Sequence, residues 1–418
     1  MSDTTMLSVP EADEVLSSIV TTDDGLQDPY ARYDALRAGS PRWRSESGAV
    51  VLTSYADCME ALRNPRLGRA EEDMEIPATF GRAEREGNRN SSTMLFLNPP
   101  DHTRIRSLVS RAFTPRRVEE LRPQFRALLD PILDDLRTRG GGDVMAELAI
   151  PFPVAVISEL LGVPREGNEH IQPMVRAATS LIDAAADAAA TEAGQLGIIG
   201  LAAYFFELVD AKRATPDDRL LSALIQVEAE GDRLSPEELI ANTILLYAAG
   251  FETTSNLIGN GLRLLLAHPD QMARLRDQPE LLGSAILEML RYDSPVQLNM
   301  RFVLEDVELF GEHHPRGAAF VVLQGCANHD PAAYDRPERF DVARFAAGDV
   351  PQPLSFGWGA HHCLGAHLAR AEGEIVFGEL LARTERIKLD EAALGPAGLR
   401  YRPSFTLRGL EALPVRIS

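Results

Sequence analysis

Two hydrophobic rhythms alternate along the chain. Between Ser40 and Tyr55, Trp43 and the apolar run Ala49, Val50, Val51 and Leu52 suit one or two short strands. Beyond residue 56 apolar positions recur at helical spacing, punctuated by Gly and Pro, and predict a succession of helices. A second short β-rich zone follows Arg291, through Val303, Val307, Phe320, Val321 and Val322. The pattern therefore predicts a mainly α fold with a small β-rich region. No linker, repeat or composition break divides it, so a single domain over residues 1–418 is expected, with 1–25 as a loose arm.

One helix stands out. Ser235-Pro236-Glu237-Glu238 is a capping box with proline at the first helical position. The apolar pattern then runs through Ile240, Ile244, Leu245, Leu246, Leu257, Ile258, Leu262 and Leu265 to His268-Pro269. Such a helix is on the order of 50 Å long. In its middle sits Ala249-Gly250-Phe251-Glu252-Thr253-Thr254, an acid and two hydroxyls where an apolar helix disfavours them. A threonine bonding back to a carbonyl one turn earlier, beside a glycine, would loosen the ladder and open a small groove.

Other segments read as surface features. Ala177 to Ala190 is a weakly packed helix or helix pair, either a mobile lid or a plain surface helix. Glu71 to Ser92, with Arg82, Arg85, Asn88, Arg89 and Asn90, reads as a long solvated loop. Gly140-Gly141-Gly142 follows no strand and opens no helix, so it reads as a turn and not a phosphate cradle.

Charge and cysteine content narrow the function. Lys plus Arg is 42 against 62 for Asp plus Glu, a net charge of −20 that argues against nucleic acid and anionic membrane as partners. Cys58, Cys326 and Cys363 lie far apart, which excludes a disulfide framework or a four-cysteine metal site. The acidic start lacks an apolar leader, and no run approaches a membrane span, so a cytoplasmic protein without a membrane anchor is expected.

The chemistry concentrates in residues 356–365, Phe-Gly-Trp-Gly-Ala-His-His-Cys-Leu-Gly. Cys363 follows a glycine-bearing loop and precedes the helix-like run Leu364 to Arg383, where unpaired N–H groups push a thiol toward thiolate. Gly357, Gly359 and Gly365 let something flat lie close to the backbone. A thiolate so presented suits a haem iron. An ordinary buried thiol is the other reading of a lone cysteine.

This stretch resembles the haem-binding signature Phe-Gly-x-Gly-x-His-x-Cys-x-Gly of the cytochrome P450 family, and every fixed position matches. Residues 249–254 are similar to that family's oxygen-activation motif, Ala/Gly-Gly-x-Glu/Asp-Thr-Thr/Ser. The resemblance runs from about residue 28 onward. It implies haem b between the long helix and the cysteine loop, with Cys363 as axial ligand. It also implies that Thr253 hydrogen-bonds dioxygen while Glu252 feeds protons through water. By family position Phe356, Gly357, Gly365, Ala249 and Gly250 lie against the haem, and His102, Arg106, Arg301 and His361 hold its propionates. Glu288-x-x-Arg291 matches the family's Glu-x-x-Arg pair, with Arg339 of Pro337-Glu338-Arg339-Phe340 completing a structural triad. Phe251 and His329 depart from residues common in the family, and His362 takes no role.

The same resemblance implies a monooxygenase that draws electrons from a separate ferredoxin and ferredoxin reductase, or a flavodoxin. Arg104, Arg111, Arg116, Arg117 and Arg370 are candidates for a basic docking patch on the cysteine side. The pocket should be lined by loop 71–97 (Met94, Leu95, Phe96), lid 171–190, Leu246, Ala249, Gly250, Val296 to Asn299, and Phe405. Gln297 and Asn299 could hydrogen-bond a sizeable oxygenated hydrophobic substrate such as a polyketide, macrolide, steroid or terpenoid. A peroxide-dependent fatty-acid peroxygenase and a non-catalytic haem sensor or carrier are the other classes.

Overall fold

A computed structural model describes residues 6–74, 92–182, 188–227, 234–395 and 398–418. The helices are α1 (Val9–Thr21), α2 (Asp23–Gln27), α3 (Tyr30–Gly39), α4 (Tyr55–Arg63), α5 (Asp101–Ser110), α6 (Pro115–Thr138) and α7 (Pro151–Leu161). They continue as α8 (Asn168–Thr179), α9 (Ala188–Ala214), α10 (Leu220–Val227), α11 (Pro236–Ala267), α12 (Pro269–Asp277), α13 (Leu282–Tyr292), α14 (Gln324–Ala327) and α15 (Ala366–Arg383).

The β-rich region is small, as the alternation predicts. Strands β1 (Arg42–Arg44), β2 (Val50–Leu52), β3 (Leu67–Gly68), β5 (Asn299–Val303) and β8 (Ala319–Val322) form one sheet, ordered β1-β2-β8-β5-β3. Among the described residues only β2 and β8 pair in parallel, Val50 with Phe320 through Leu52 with Val322, which sews the amino-terminal strands to the second β zone. β6 (Val307–Leu309) and β7 (Glu312–His314) make a hairpin.

The glycine triplet is a turn only at Gly140. Gly141 opens strand β4 (Gly141–Asp143), which pairs with β10 (Pro414–Ile417), itself joined to β9 (Ile387–Leu389). Its φ is +128°, and a Cβ there would lie 2.0 Å from the Val415 carbonyl oxygen. Glycine thus admits the carboxy-terminal strand.

The amino-terminal arm is also ordered from Val9. Ser8 N–H and Oγ both donate to Glu11 Oε2, at 2.8 and 2.6 Å, and start α1. Ala12 and Ile19 then pack into a cluster with Tyr33, Trp43, Leu298 and Met300. The 71–92 loop, with Arg82, Arg85, Asn88, Arg89 and Asn90, and residues 183–187 of the lid lie mostly or wholly outside the described residues.

α9 is long and apolar enough to cross a membrane by length and composition, which the reading of the sequence did not anticipate. A third of its most apolar window is buried. Gly197 lets α8 approach closely, for a Cβ there would lie 2.5 Å from the Met174 carbonyl oxygen.

The centre is α11. Ser235 Oγ accepts from Glu238 N–H at 3.1 Å while Ser235 N–H donates to Glu238 Oε2 at 2.8 Å, closing the expected capping box. Leu257, Ile258, Leu262 and Leu265 are buried against a core that includes Ile375, Val376 and Phe377 of α15. Gly261 makes that crossing close, since a Cβ would sit 2.7 Å from Met289 Sδ and 2.8 Å from Phe377 Cζ.

Candidate active site

Along α11 nearly every described residue from Phe251 to Leu262 is buried, yet Ala249 is exposed and Thr253, one turn on, is half-buried. The middle of the helix is therefore accessible around Ala249 and Thr253. Thr253 Oγ donates to the Ala249 carbonyl at 3.0 Å, the back-bond its sequence context predicts. Phe251 is buried, whereas Gly250 faces α7, where a Cβ would lie 3.2 Å from Ile157 Cδ1. Gly250, itself half-buried, thus also serves the packing of α7 on α11.

Glu252 is paired with an arginine. Its Oε1 lies 2.5 Å from Arg402 Nη1, and Arg402 Nη2 donates to Asn256 Oδ1 at 2.5 Å. Arg402 escaped the reading of the sequence because a contact 150 residues away leaves no local pattern.

The cysteine loop is built by positive-φ glycines. Gly357 adopts φ +64°, and Gly359 φ +72°, with a Cβ at 359 only 2.3 Å from the Leu62 carbonyl oxygen. Cys363 N–H donates to Phe356 O at 2.8 Å, and α15 begins three residues later. A Cβ on Gly365 would meet no protein atom within 4 Å, so this side of the loop is open. Although Cys363 is exposed, the protein packed around its sulfur raises the thiol above its ordinary range, against the Gly365 N–H and the Arg106 charge. Desolvation thus outweighs the helix end; a bound metal cation would reverse that balance.

Cations gather beside the loop. Arg106 donates to the His362 carbonyl, one residue from Cys363. The His102 and His361 rings lie 4.3 Å apart. Burial, aided by neighbouring Arg106 and Arg69, holds His102 down to about 4. Burial with Arg69, Arg301, His102 and Arg106 around it holds His361 down to about 2. Both ring nitrogens of His102 and Nε2 of His361 are buried with no hydrogen-bond partner.

Arg69 was missed. Reciprocal bonds of 2.8 Å between its backbone and the Asn98 carboxamide fix it next to the turn that starts α5. The β3–β5 register pairs Gly68 with Phe302, so one step further sets Arg69 opposite Arg301, both buried. Two like charges directly opposed across strands are destabilising unless an anion comes between them.

Three expectations need correction. Arg339 does not complete the triad: its side chain is exposed and only its carbonyl joins in, accepting from Arg291 and Arg344. The third member is Arg344, whose Nε lies 3.1 and 3.0 Å from the Glu288 oxygens that Arg291 also holds. Gln297 is buried and engaged within the protein, where Oε1 accepts from Tyr33 and Nε2 donates to Ser294 O. Phe405 packs against the amino-terminal cluster and lines a crevice on that side.

Elsewhere the pocket residues are placed as follows. Met94 N–H donates to Asn242 Oδ1 at 2.9 Å, tying that segment to α11. Leu95 and Phe96 are half-buried, Leu246 is buried, Val296 bridges to Leu407, and Asn299 accepts from Arg301. The proposed docking patch is partly neutralised: Arg104 pairs with Glu238, and Arg116 and Arg117 with Glu120. Arg111 is exposed and Arg370 half-buried.

Comparison with known proteins decides the family. The cytochrome P450 family model matches residues 198–386. The vitamin D(3) 25-hydroxylase of Pseudonocardia autotrophica is 41% identical over 93% of this chain and 94% of its own length. The chain is a cytochrome P450. The P450 monooxygenase PikC of Streptomyces venezuelae is 40% identical over 94% of this chain and 92% of its own. A crystal structure of P450BioI with an acyl carrier protein bearing hexadec-9Z-enoic acid superposes with TM-score 0.85 at 34% identity, covering 95% of this P450 and all of that chain. The relatives are P450 hydroxylases and monooxygenases, so this P450 is an oxidoreductase.

The residues present fit a haem. The loop surface at Gly365 is open, Cys363 beside it is exposed, and buried ring nitrogens of His102 and His361 have no hydrogen-bond partner amid the positive charge of Arg69, Arg106 and Arg301.

Proposed function

We propose that this P450 binds haem b through Cys363 and inserts one oxygen atom from O2 into a C–H or C=C bond of a sizeable hydrophobic molecule. The observation that carries the reading is the pairing of an exposed cysteine on a glycine-built loop with buried, unanswered nitrogens on His102 and His361. Cys363 would hold the iron, while Arg69, Arg106, Arg301, His102 and His361 would hold the propionates. Guanidiniums suit that task because they meet carboxylates bidentately. Bound there, the haem supplies oxygen activation, aided by the thiolate's electron donation.

The chain's own part is positioning and proton supply. Thr253 presents its hydroxyl at the accessible middle of α11, and Glu252 beside it is the acid. Substrate class is supported by relatives named for vitamin D(3) and 6-deoxyerythronolide B hydroxylation. The apolar walls at Leu246, Met94 and Phe96 suit such molecules. Electrons would come from a ferredoxin and its reductase, or a flavodoxin, meeting the cysteine side around Arg111 and Arg370. A cytoplasmic location accords with that supply.

Turnover of a polyketide, macrolide, steroid and terpenoid panel with ferredoxin, reductase and oxygen-18 gas tests this. Product carrying one labelled oxygen is expected; product formed only with added peroxide would favour the peroxygenase. Thr253→Ala should keep its haem, lower coupled product by about tenfold or more, and raise peroxide release.

A further inference from the structure

Residues 92–98 form neither helix nor strand, yet they carry Met94, Leu95 and Phe96 of the proposed pocket wall. Backbone groups in such a stretch need partners from elsewhere in the chain. Asn242, fully buried on α11, supplies them. Its Oδ1 accepts from Met94 N–H at 2.9 Å, and its Nδ2 donates to Ser92 O and to Glu238 O, both at 2.8 Å. One carboxamide thus answers a donor and an acceptor two residues apart, as a neighbouring strand would.

The far end of the segment is held in the same way. Asn98 Oδ1 accepts from Arg69 N–H and its Nδ2 donates to Arg69 O, both at 2.8 Å. Glycine at 68 admits that amide, since a Cβ there would lie 2.3 Å from Asn98 Oδ1. Between the two clamps Phe96 N–H closes a turn on Thr93 O at 3.1 Å, and Met94 sinks into the main core. Leu95 and Phe96 are left half-buried on a segment tied at both ends.

The place of the first clamp on α11 gives it a function. Asn242, Leu246, Ala249 and Thr253 fall at i, i+4, i+7 and i+11, one stripe of the helix. Asn242 and Leu246 are buried, whereas Ala249 is exposed and Thr253 half-buried. At 1.5 Å per residue, Leu246 stands about 10 Å from Thr253 along the axis and the clamp about 16 Å.

We propose that Asn242 is a positioning residue for the substrate. By fixing Met94 to Phe96 it sets a firm far wall, and so selects molecules that extend roughly 10–15 Å from the oxidised carbon. A wall already in place costs a long ligand little ordering on binding, while a loose one must be ordered by the ligand itself. A short ligand never reaches the wall. The inference deepens the proposed function and rests on it.

Reduced carbon monoxide spectra come first. A band in the histidine-ligated range for the wild type removes the haem–thiolate reading; a red-shifted band in every variant lets the wall be tested by itself. The probes are 1-methylimidazole and 1-dodecylimidazole, which share an iron-binding nitrogen and differ in reach, titrated against the holoenzyme by the Soret shift. Asn242→Leu, which keeps the volume and loses the amide, should weaken 1-dodecylimidazole about tenfold and leave 1-methylimidazole within about twofold. Should that variant lose its haem, Asn242→Asp, without the donor to Ser92 O, carries the same test at about threefold. Thr243→Val, which removes a buried hydroxyl bonded back to Leu239 O at 2.7 Å on the same helix, should change neither affinity. Amide deuterium exchange at residues 93–97 should speed about tenfold in Asn242→Leu and match wild type in Thr243→Val. Equal losses for both imidazoles, no loss for the longer one, or unchanged exchange at 93–97 in Asn242→Leu would overturn the proposal.

Discussion

Two buried charged clusters of this P450 are built on contrary principles. Around Asp293, Arg408 Nε donates at 2.7 Å, Arg263 Nη2 at 3.1 Å, and the Tyr30 and Tyr401 hydroxyls at 2.8 and 2.7 Å. Arg408 adds the carbonyls of Leu26 and Gln27, so α2, α11, α13 and the carboxy-terminal loop are clasped together. Beside the cysteine loop, Arg69 and Arg301 are set opposite one another, and three imidazole nitrogens have no partner. A closed cluster stabilises the chain; an open one strains it until a ligand arrives. The Glu288–Arg291–Arg344 triad belongs with the closed kind.

The sharpest way to break the comparison is to cut a closed cluster. Glu288→Ala should cost about 3–5 kcal/mol in denaturant unfolding, because Arg291 and Arg344 lose their counter-charge. Arg344→Ala should cost a large part of that, while Arg339→Ala should stay within about 0.5 kcal/mol. Equal costs at 339 and 344 would restore the earlier triad.

Asp293→Asn comes next, at about 3 kcal/mol near neutral pH. The Asp293 carboxyl is held below the ordinary range, burial opposing and the Arg408 and Arg263 charges and hydrogen bonds prevailing. A folded value below the unfolded one gives stability that is present above about pH 4 and is lost as pH falls further. The gap between wild type and variant should therefore close on acidification; a gap constant to pH 3 would contradict the clasp.

The open cluster should answer with the opposite sign. Arg69→Gln should leave the haem-free protein as stable as wild type or up to about 1 kcal/mol more so, since a like-charge opposition is relieved. Haem transfer to apomyoglobin should nevertheless be about tenfold faster, the loss of one charge-assisted bond. A smaller effect is expected from Glu372, a buried carboxyl on α15 whose value burial raises well above the usual range. A raised folded value contributes stability at low pH that is lost as pH rises through it. Glu372→Gln should thus raise the melting temperature by a few degrees at pH 8 and less at pH 5.

What could be read in advance follows the reach of the signal. The α11 capping box, the long apolar stripe and the cysteine loop are local, and their geometry follows from neighbouring residues. The first helix carries the same grammar in Ser8-Val9-Pro10-Glu11, with Ala12, Leu16 and Ile19 following, yet its acidic composition disguised it as a loose arm. Arg69, Arg344 and Arg402 gave no such sign, since register, a loop five residues beyond the expected arginine, and a carboxy-terminal turn bring them in. Gln297 misled for a related reason: whether an amide faces a pocket or Tyr33 is settled by packing across 264 residues.

The central claim is that Cys363 binds haem as a thiolate. The absorption spectrum of the dithionite-reduced, carbon monoxide-bound protein tests it most directly. The account predicts a strongly red-shifted Soret band that is lost in Cys363→Ser. A band in the histidine-ligated range for the wild type, or an unchanged red-shifted band in Cys363→Ser, would contradict it.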